Sequence, residues 1–268
     1  MVASVESSKG PQIAEGRTAE VFTWGEDRVL KLFREGFPAK VVEHEADVTR
    51  QVHDAGLPAP AVHGVVEVDG RLGVVFDRIR GVSMLRELIA RPWTVRRYAA
   101  MLAGLQARIH AASAPGLPSQ RARLEGRIRS AGAHEPALRE AVLAELAGLP
   151  EGLAVCHGDF HPDNVLISDR GPVVIDWPTA TAGRAEGDVA RTLLLLEVGE
   201  PLPGTPRRRL IEFLRHSYRR HYLDSYLRLR PTSREAIAAW RRPVAAARID
   251  EGIPGELDRL LGIVRDRA

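Results

Sequence analysis

The 268-residue chain is poor in cysteine, lysine and aromatic residues, and it has no long apolar run. Its single cysteine, Cys156, cannot form an internal disulfide, so we expect a reducing, cytoplasmic setting. The first ten residues are polar and do not resemble a signal peptide. The longest strongly apolar cluster, residues 193–196, is far too short to span a bilayer. These absences predict a protein without a membrane partner.

Positive charge comes almost entirely from arginine. Only Lys9, Lys31 and Lys40 are lysines among 38 cationic residues, and the net charge is +3 with a pI near 9.3. An excess of arginine beside many alanines, glycines and prolines is typical of a GC-rich coding bias. The arginines also lack the interleaved aromatic residues of a nucleic-acid stacking surface. Composition therefore favours a protein with no nucleic-acid partner.

The residue pattern predicts an α+β chain whose character changes near residue 77. Strand character occurs at residues 19–24, 28–33, 62–68 and 71–76, and a helical period occupies residues 39–55. Further helices are predicted at 94–112, within 119–148, and at 186–198, 207–228, 232–247 and 255–266, with a proline-rich break at 201–206. A short strand at 153–157 and a hairpin of 165–168 with 173–176 interrupt this helical region.

This pattern predicts two lobes around a cleft. Residues 1–80 would form an N-terminal lobe, a small antiparallel sheet with one inserted helix, behind a disordered tail of about ten residues. Residues 81–268 would form a larger, mostly helical lobe. At 44% apolar content the chain is long enough to bury a core in each.

The segment His157–Leu166, with sequence HGDFHPDNVL, carries the strongest functional signal. Asp159 stands five positions before Asn164, and a second acidic residue, Asp176, follows a short turn in the sequence VIDW. This H-x-D-x-x-x-x-N…D order is the layout of kinase-type phosphoryl transfer. There, one aspartate accepts the proton of the attacking hydroxyl, and the asparagine and second aspartate hold Mg²⁺. We therefore predict Asp159 as the catalytic base, with Asn164 and Asp176 as metal ligands.

Lys31 is the second informative position. It lies mid-strand between apolar neighbours, where an ammonium group is costly unless it faces a polar site. In a chain that otherwise uses arginine, a lysine here indicates a need for a compact point charge. Two glutamates on the predicted helix, Glu45 and Glu43, are the candidate partners of its ammonium group.

These motifs resemble those of the aminoglycoside phosphotransferase family, small-molecule kinases with the protein-kinase-like fold. The resemblance runs from about Ile13 to Asp266 and is most specific at residues 157–191. It implies a bilobal α+β fold, with ATP or GTP and Mg²⁺ as cofactors. It also implies that Lys31 contacts the α- and β-phosphates as part of a Lys31–Glu45 ion pair.

Other roles follow from position in the resemblance. Gly16 and Thr18 would lie over the phosphates, and the backbone from Phe76 to Ile79 would contact the purine. Asp188 would open a helix, as an N-cap or as a brace for the motif loop. A zinc site at the two motif histidines is the weaker alternative, because Pro162 disfavours a helix that would align them.

The sequence leaves the acceptor open. Residues 184–268 contain seventeen arginines and twelve acidic residues, an unexpected balance for a site that binds polycationic aminoglycosides. Acidic residues at Asp250, Glu251, Glu256 and Asp258 keep that acceptor possible.

We expect Mg²⁺-dependent transfer of a nucleotide γ-phosphate to a small-molecule hydroxyl, by a monomer or homodimer. An aminoglycoside or other antibiotic, or a hydroxylated metabolite, would be the acceptor. The alternatives are a nucleotide-binding regulatory protein with little turnover and a basic nucleic-acid-binding protein.

Overall fold

The computed structural model describes residues 9–114, 116–132, 135–199 and 208–266. Residues 1–8 of the predicted tail and the predicted break at 201–206 lie outside the described residues. The chain divides into two compact units. The first comprises Met1–Ser83 with Asn164–Pro178, and the second comprises Met84–Asp163 with Thr179–Ala268. The hairpin after the motif loop therefore belongs to the first unit.

The elements follow one another in a strand-rich and then a helix-rich order. The strands are β1 (Lys9–Glu15), β2 (Ala19–Trp24), β3 (Arg28–Phe33), β4 (Val62–Val68), β5 (Arg71–Asp77), β6 (Gly81–Ser83), β7 (Ala154–Cys156), β8 (Val165–Ser168), β9 (Gly171–Val174) and β10 (Thr181–Gly183). The helices are α1 (Ala39–Asp54), α2 (Met84–Ala90), α3 (Val95–Ala111), α4 (Gln120–Ser130), α5 (Pro136–Gly148), α6 (Ala185–Val198), α7 (Arg208–Leu229), α8 (Arg234–Ala238), α9 (Arg241–Ile249) and α10 (Leu257–Arg265).

The first unit is built on a five-stranded antiparallel sheet in the order β1-β2-β3-β5-β4. Side chains alternate between its two faces, as the period of a strand requires. One face buries Leu30 and Leu32 with the neighbouring strands. The other face buries Phe33 against Val42 and Ala46 of α1. The helix inserted between β3 and β4 thus covers one side of the sheet.

Four of the five strands occur where the alternation of residues predicts them, and β1 was not predicted. Lys9 and Gly10 lie in β1 rather than in a disordered tail, so that part of the prediction is wrong. The strand is mostly exposed and its register with β2 shifts twice. An exposed edge strand lacks the apolar alternation that reveals a strand in a sequence.

A smaller sheet, in the order β6-β8-β9, completes the first unit. The predicted second strand of its hairpin, residues 173–176, is displaced: β9 ends at Val174. Asp176 has a backbone φ of +67°, in the left-handed region that a strand cannot contain. The three-residue β6 was not predicted.

The second unit is mainly helical, and α3 packs along α7 at its centre. The helix predicted at 232–247 is two helices, α8 and α9, separated at Trp240, whose side chain is buried. Pro243 lies in the first turn of α9, where the missing N–H costs no helical hydrogen bond. Within the described ranges, no helix is both long enough and apolar enough to cross a membrane.

Candidate active site

Lys31 lies on the α1-facing side of the sheet and makes two ion pairs within the first unit. Its Nζ is 2.6 Å from Oε1 of Glu45 and 2.8 Å from Oδ1 of Asp176. Glu45 is buried on α1, whereas Glu43, the competing choice, is exposed on the same helix. The structure thus brings three predicted site residues into direct contact and leaves Glu43 outside this group.

Burial and charge act against each other in this group. Burial alone would lower the pKa of Lys31, but the Glu45 and Asp176 carboxylates raise it above its ordinary value. Burial raises the pKa of Glu45, and the ammonium group opposes that shift. Lys31 is therefore a fixed cation, held in an apolar sheet by two carboxylates.

Asn164 and Asp176 emerge at the same end of the β8–β9 hairpin. Val165 pairs with Val174, and one step beyond them the Ile175 N–H donates to the Asn164 carbonyl at 3.0 Å. Trp177 is fully buried and donates its indole N–H to the Val174 carbonyl. The Asp176 side chain remains 41% exposed between these fixed neighbours.

The backbone of Asp176 is in a conformation that L-residues rarely adopt. Aspartate tolerates the left-handed region better than most residues, but such a conformation still costs about 1–3 kcal/mol. Strained positions of this kind cluster at functional sites, where the surroundings hold them in place. Here the buried Trp177 and the ion pair with Lys31 supply that constraint.

Gly16 and Thr18 lie in the turn between β1 and β2. The Gly16 N–H donates to the Ala19 carbonyl at 2.8 Å, which closes the turn. Arg34, just after β3, contacts the same turn from the other side: its guanidinium donates to the carbonyls of Gly16 and Arg17 and to the Glu15 carboxylate. Sequence reasoning missed Arg34, because no local pattern marks an arginine that braces a turn eighteen residues away.

The predicted purine-contacting segment, Phe76 to Ile79, follows the end of β5. Phe76 is buried in the core beneath α1, and Ile79 is half-buried. The backbone N–H groups of Asp77 and Arg78 donate to the carbonyls of Ala61 and Asp27. The segment is therefore fixed to the sheet at two consecutive residues.

Asp159 belongs to the second unit, where three cationic or polar groups surround its carboxylate. Arg191 Nη2 lies 3.7 Å from Oδ1, and His161 Nε2 lies 3.6 Å from Oδ2. Burial opposes ionisation, but His161, Arg191 and His157 outweigh it, so the pKa of Asp159 lies well below its usual range. Its side chain is 28% exposed, so the ionised carboxylate can meet a ligand.

The backbone of the motif loop is held by a second carboxylate, Asp188. Its oxygens accept the N–H groups of His157 at 3.2 Å and Gly158 at 2.7 Å, and they also accept from Gln106 and His110. Gly158 has a φ of +79°, and a Cβ there would lie 2.7 Å from the Thr179 carbonyl. Asp188 thus fixes a turn that only glycine fits.

Of the two predicted roles for Asp188, the structure favours bracing the loop. The residue lies in the first turn of α6, whose N-cap position is Arg184. The side chain is buried, yet its hydrogen bonds from His110, Gln106 and Gly158 outweigh the burial and lower the pKa to about 2. From the same helix, Arg191 Nε donates to the Gly158 carbonyl.

The predicted metal ligands, Asn164 and Asp176, are oxygen donors of the type that magnesium binds. Among the described residues, no cluster of three or more histidine, cysteine and acidic side chains could hold a metal ion. Magnesium commonly takes only one or two protein oxygens and leaves its other positions to phosphates and water. The amide of Asn164 and the exposed carboxylate of Asp176 are hard oxygen donors of that kind.

The chain belongs to the phosphotransferase enzyme family known as APH, whose family model matches residues 9–232. The resemblance to aminoglycoside phosphotransferases is thereby confirmed, and the α+β fold is that of this kinase-like family. A comparison with curated protein sequences found no match.

Solved structures with the same fold include several small-molecule kinases. A type VIII aminoglycoside-3'-phosphotransferase is 21% identical, with a TM-score of 0.64 over 90% of this chain and 94% of that one. An amicoumacin kinase in complex with AMP-PNP and Ca²⁺ is 14% identical, with a TM-score of 0.65 over 97% and 88%. A macrolide 2'-phosphotransferase from Brachybacterium faecium is 19% identical, with a TM-score of 0.56 over 96% and 92%. Similarity at these identities shows a shared fold alone.

Replacing Asp188 by asparagine is expected to lower the free energy of unfolding by about 3 kcal/mol, because buried donors lose an ionised acceptor. Unfolding in urea at pH 7 measures this loss, with the exposed Asp163→Asn in the same loop as control. The folded pKa of Asp188 lies below the unfolded value, so its stabilisation is present above about pH 4 and is lost towards pH 2. A difference between the two variants that stayed constant across this range would contradict the assignment.

Proposed function

We propose that the protein transfers the γ-phosphate of ATP or GTP to a hydroxyl of a small molecule, with Mg²⁺ as cofactor. The observation that carries this proposal is the contact of Lys31 with both Glu45 and Asp176. Active kinases require a lysine–glutamate pair and a metal-binding aspartate at the phosphates. Membership of the phosphotransferase family supports the same reaction.

Asp159 is the proposed catalytic base. Its depressed pKa makes it a weak proton acceptor at neutral pH, so its main contribution is to orient the acceptor hydroxyl as an ionised hydrogen-bond acceptor. The proton would move to Oδ1 or Oδ2 late, as the bond to phosphorus forms, which suits the loose transition state of phosphoryl transfer. His161 and Arg191 keep the carboxylate ionised and fix its direction.

Asn164 and Asp176 are the proposed magnesium ligands, and Lys31 is proposed to contact the α- and β-phosphates. The bound ion would supply charge neutralisation on the transferring phosphoryl group. Gly16 and Thr18, in the turn braced by Arg34, are proposed to cover the phosphates, and the backbone of Phe76 to Ile79 to bind the purine. Structural neighbours solved with AMP-PNP support ATP as donor.

The proposed acceptor is a small hydroxylated molecule. Antibiotics are one candidate class, because neighbours with this fold are named as an aminoglycoside phosphotransferase and a macrolide phosphotransferase. A role in antibiotic resistance would follow from such an acceptor. Regulatory binding without turnover is the second candidate. It is disfavoured because Asp159 stays ionised and accessible beside a braced loop, an arrangement that nucleotide binding alone does not require.

The base assignment is tested by Asp159→Asn. We expect kcat for phosphate transfer to fall by about 10²–10⁴, while the affinity for Mg²⁺-ATP stays within about twofold, because the residue acts on the acceptor. The assay follows transfer of labelled γ-phosphate from ATP and from GTP to aminoglycosides, macrolides and hydroxylated metabolites. Wild-type rates in the variant would refute the base. Nucleotide binding without transfer to any acceptor would support the regulatory candidate.

The metal assignment is tested by Asp176→Ala. We expect the Mg²⁺-dependent part of ATP affinity to be lost, because the variant removes a charged oxygen ligand. Asp169→Ala is the matched control, since Asp169 is exposed in the turn of the same hairpin. Calorimetric titration of ATP with and without Mg²⁺ separates the two variants. Equal Mg²⁺ dependence in both would show that Asp176 is not a ligand.

The lysine pair is tested by Glu45→Gln. This change removes one of the two carboxylates that hold Lys31, so we expect KM for ATP to rise about tenfold. Glu43→Gln, two residues away on the exposed side of the same helix, should leave KM unchanged. A similar rise in both variants would mean that α1 matters through its general charge rather than through the ion pair.

A further inference from the structure

The second unit contains a small cavity directly beside the motif loop. Its volume is about 50 Å³, and its lining includes Gly158, Thr179 and three arginines, Arg123, Arg127 and Arg191. Its acidic lining residue, Asp188, already accepts four hydrogen bonds. A volume of this size holds roughly four water molecules, which is the space of one carboxylate or phosphate group.

Two of the four acidic residues that could bind a polycation, Glu251 and Glu256, are paired with internal arginines. Glu251 contacts Arg127 at 2.6 Å, and Arg191 and Arg248 at 2.5 Å each. Glu256 is buried and makes two hydrogen bonds to the Arg248 guanidinium. Neither carboxylate is available to an amino sugar without breaking these pairs, and a broken pair would leave a guanidinium uncompensated.

Arg123 is the cation of this cavity that lacks a counter-charge in contact. Among the residues that the structure describes, no carboxylate lies within ion-pairing distance of its guanidinium, and Glu251 is engaged by three other arginines. Burial and the neighbouring Arg127 together lower the pKa of Arg123 to about 10, still well above neutral pH. A bound anion would stabilise the charged Arg123 guanidinium in this cavity.

We propose that this arginine-lined cavity binds an anionic group of the acceptor, so that the acceptor is a hydroxylated carboxylate or phosphate ester rather than a polycation. The inference rests on the proposed function and specifies its substrate class. Arg191 links the two parts of the site, because it lines the cavity and also lies 3.7 Å from Oδ1 of Asp159. An acceptor anchored there by its anion would present a neighbouring hydroxyl to Asp159.

The guanidinium groups suit this role chemically. Arginine binds carboxylate and phosphate through paired N–H donors, which fixes the orientation of the ligand as well as its position. Orientation matters here, since transfer requires one hydroxyl to lie in line with the phosphoryl group. The anion would therefore act as the handle that selects which hydroxyl reacts.

Binding of four matched sugars tests the inference. Gluconate carries a carboxylate, glucose 6-phosphate a phosphate, glucose no charge and glucosamine a cation. Calorimetric titrations are made on the full chain with saturating Mg²⁺ and AMP-PNP, so that the nucleotide site is occupied. We expect gluconate, glucose 6-phosphate or both to bind more tightly than glucose and glucosamine, and the anion that binds identifies the group. Equal binding of all four, tighter binding of glucosamine, or no anion binding would overturn the inference.

The variants localise the binding. Arg123→Gln should weaken anion binding by about tenfold, the loss of one charged hydrogen-bonding partner, and Arg127→Gln is an independent second test. Arg129→Gln is the control, because Arg129 lies on the same helix α4, is 60% exposed and pairs with Glu125. Thermal unfolding checks that each variant folds. Unchanged anion affinity in a folded Arg123→Gln would overturn the assignment.

Transfer assays with the same sugars separate this inference from the proposed function. Asp159-dependent phosphorylation of glucosamine, but of neither anionic sugar, would support the kinase function and contradict the inference that the acceptor is an anion. Failure to bind any Mg²⁺-nucleotide would instead count against the proposed function itself. Phosphorylation of an anionic sugar with a KM that rises in Arg123→Gln would support both.

Discussion

The first unit is organised by the need to bury one ammonium group in an apolar sheet. The Lys31 side chain is 19% exposed and lies on the face of the sheet that α1 covers, where an unpaired ammonium group would be unfavourable. Glu45 and Asp176 offset that cost, and each comes from a different element. The ion pairs therefore fix α1 and the end of the β8–β9 hairpin against the sheet. Through its two ion pairs, the Lys31 ammonium group connects β3, α1 and the end of the β8–β9 hairpin.

In the second unit the buried charged group is a carboxylate rather than an ammonium group. Asp188 is buried and ionised because four donors converge on it, and two of these donors are backbone N–H groups of the motif loop. Asp159, on that loop, is partly exposed, with the His161 ring and the Arg191 guanidinium at 3.6 and 3.7 Å from its carboxylate. The two carboxylates share a sign but differ in surroundings. Asp188 accepts four hydrogen bonds and holds the backbone, whereas the Asp159 side chain is 28% exposed.

Short-range patterns predicted most of the fold, and they failed where long-range contacts decide. Residue patterns place β2, β3 and α1 correctly, because each of these elements buries several apolar side chains. The exposed β1 and the short β6 have no such face, so nothing in the sequence marks them. The choice of Glu45 over Glu43 followed from the family resemblance, and the structure shows the physical reason: Glu45 is buried beside Lys31, whereas Glu43 is exposed. The predicted strand wrongly included Asp176. Its left-handed backbone conformation accompanies the burial of Trp177 and the ion pair with Lys31, and a local sequence pattern reveals neither.

Long-range contacts also limit what a count of charged residues can say about the proposed acceptor. A surplus of arginine in residues 184–268 argues against a polycationic ligand, yet four acidic residues kept that ligand possible on sequence grounds. The structure shows which of these charges are internally paired. Glu251 pairs with Arg127, Arg191 and Arg248, and Glu256 pairs with Arg248. Asp250 and Asp258 are exposed. Arg123 lines a cavity that borders the loop of Asp159, beside Arg127 and Arg191, which Glu251 already pairs. The net charge of a region says little about its ligand until the internal ion pairs have been subtracted, and in this cavity the subtraction leaves Arg123 without an ion-pair partner among the described residues.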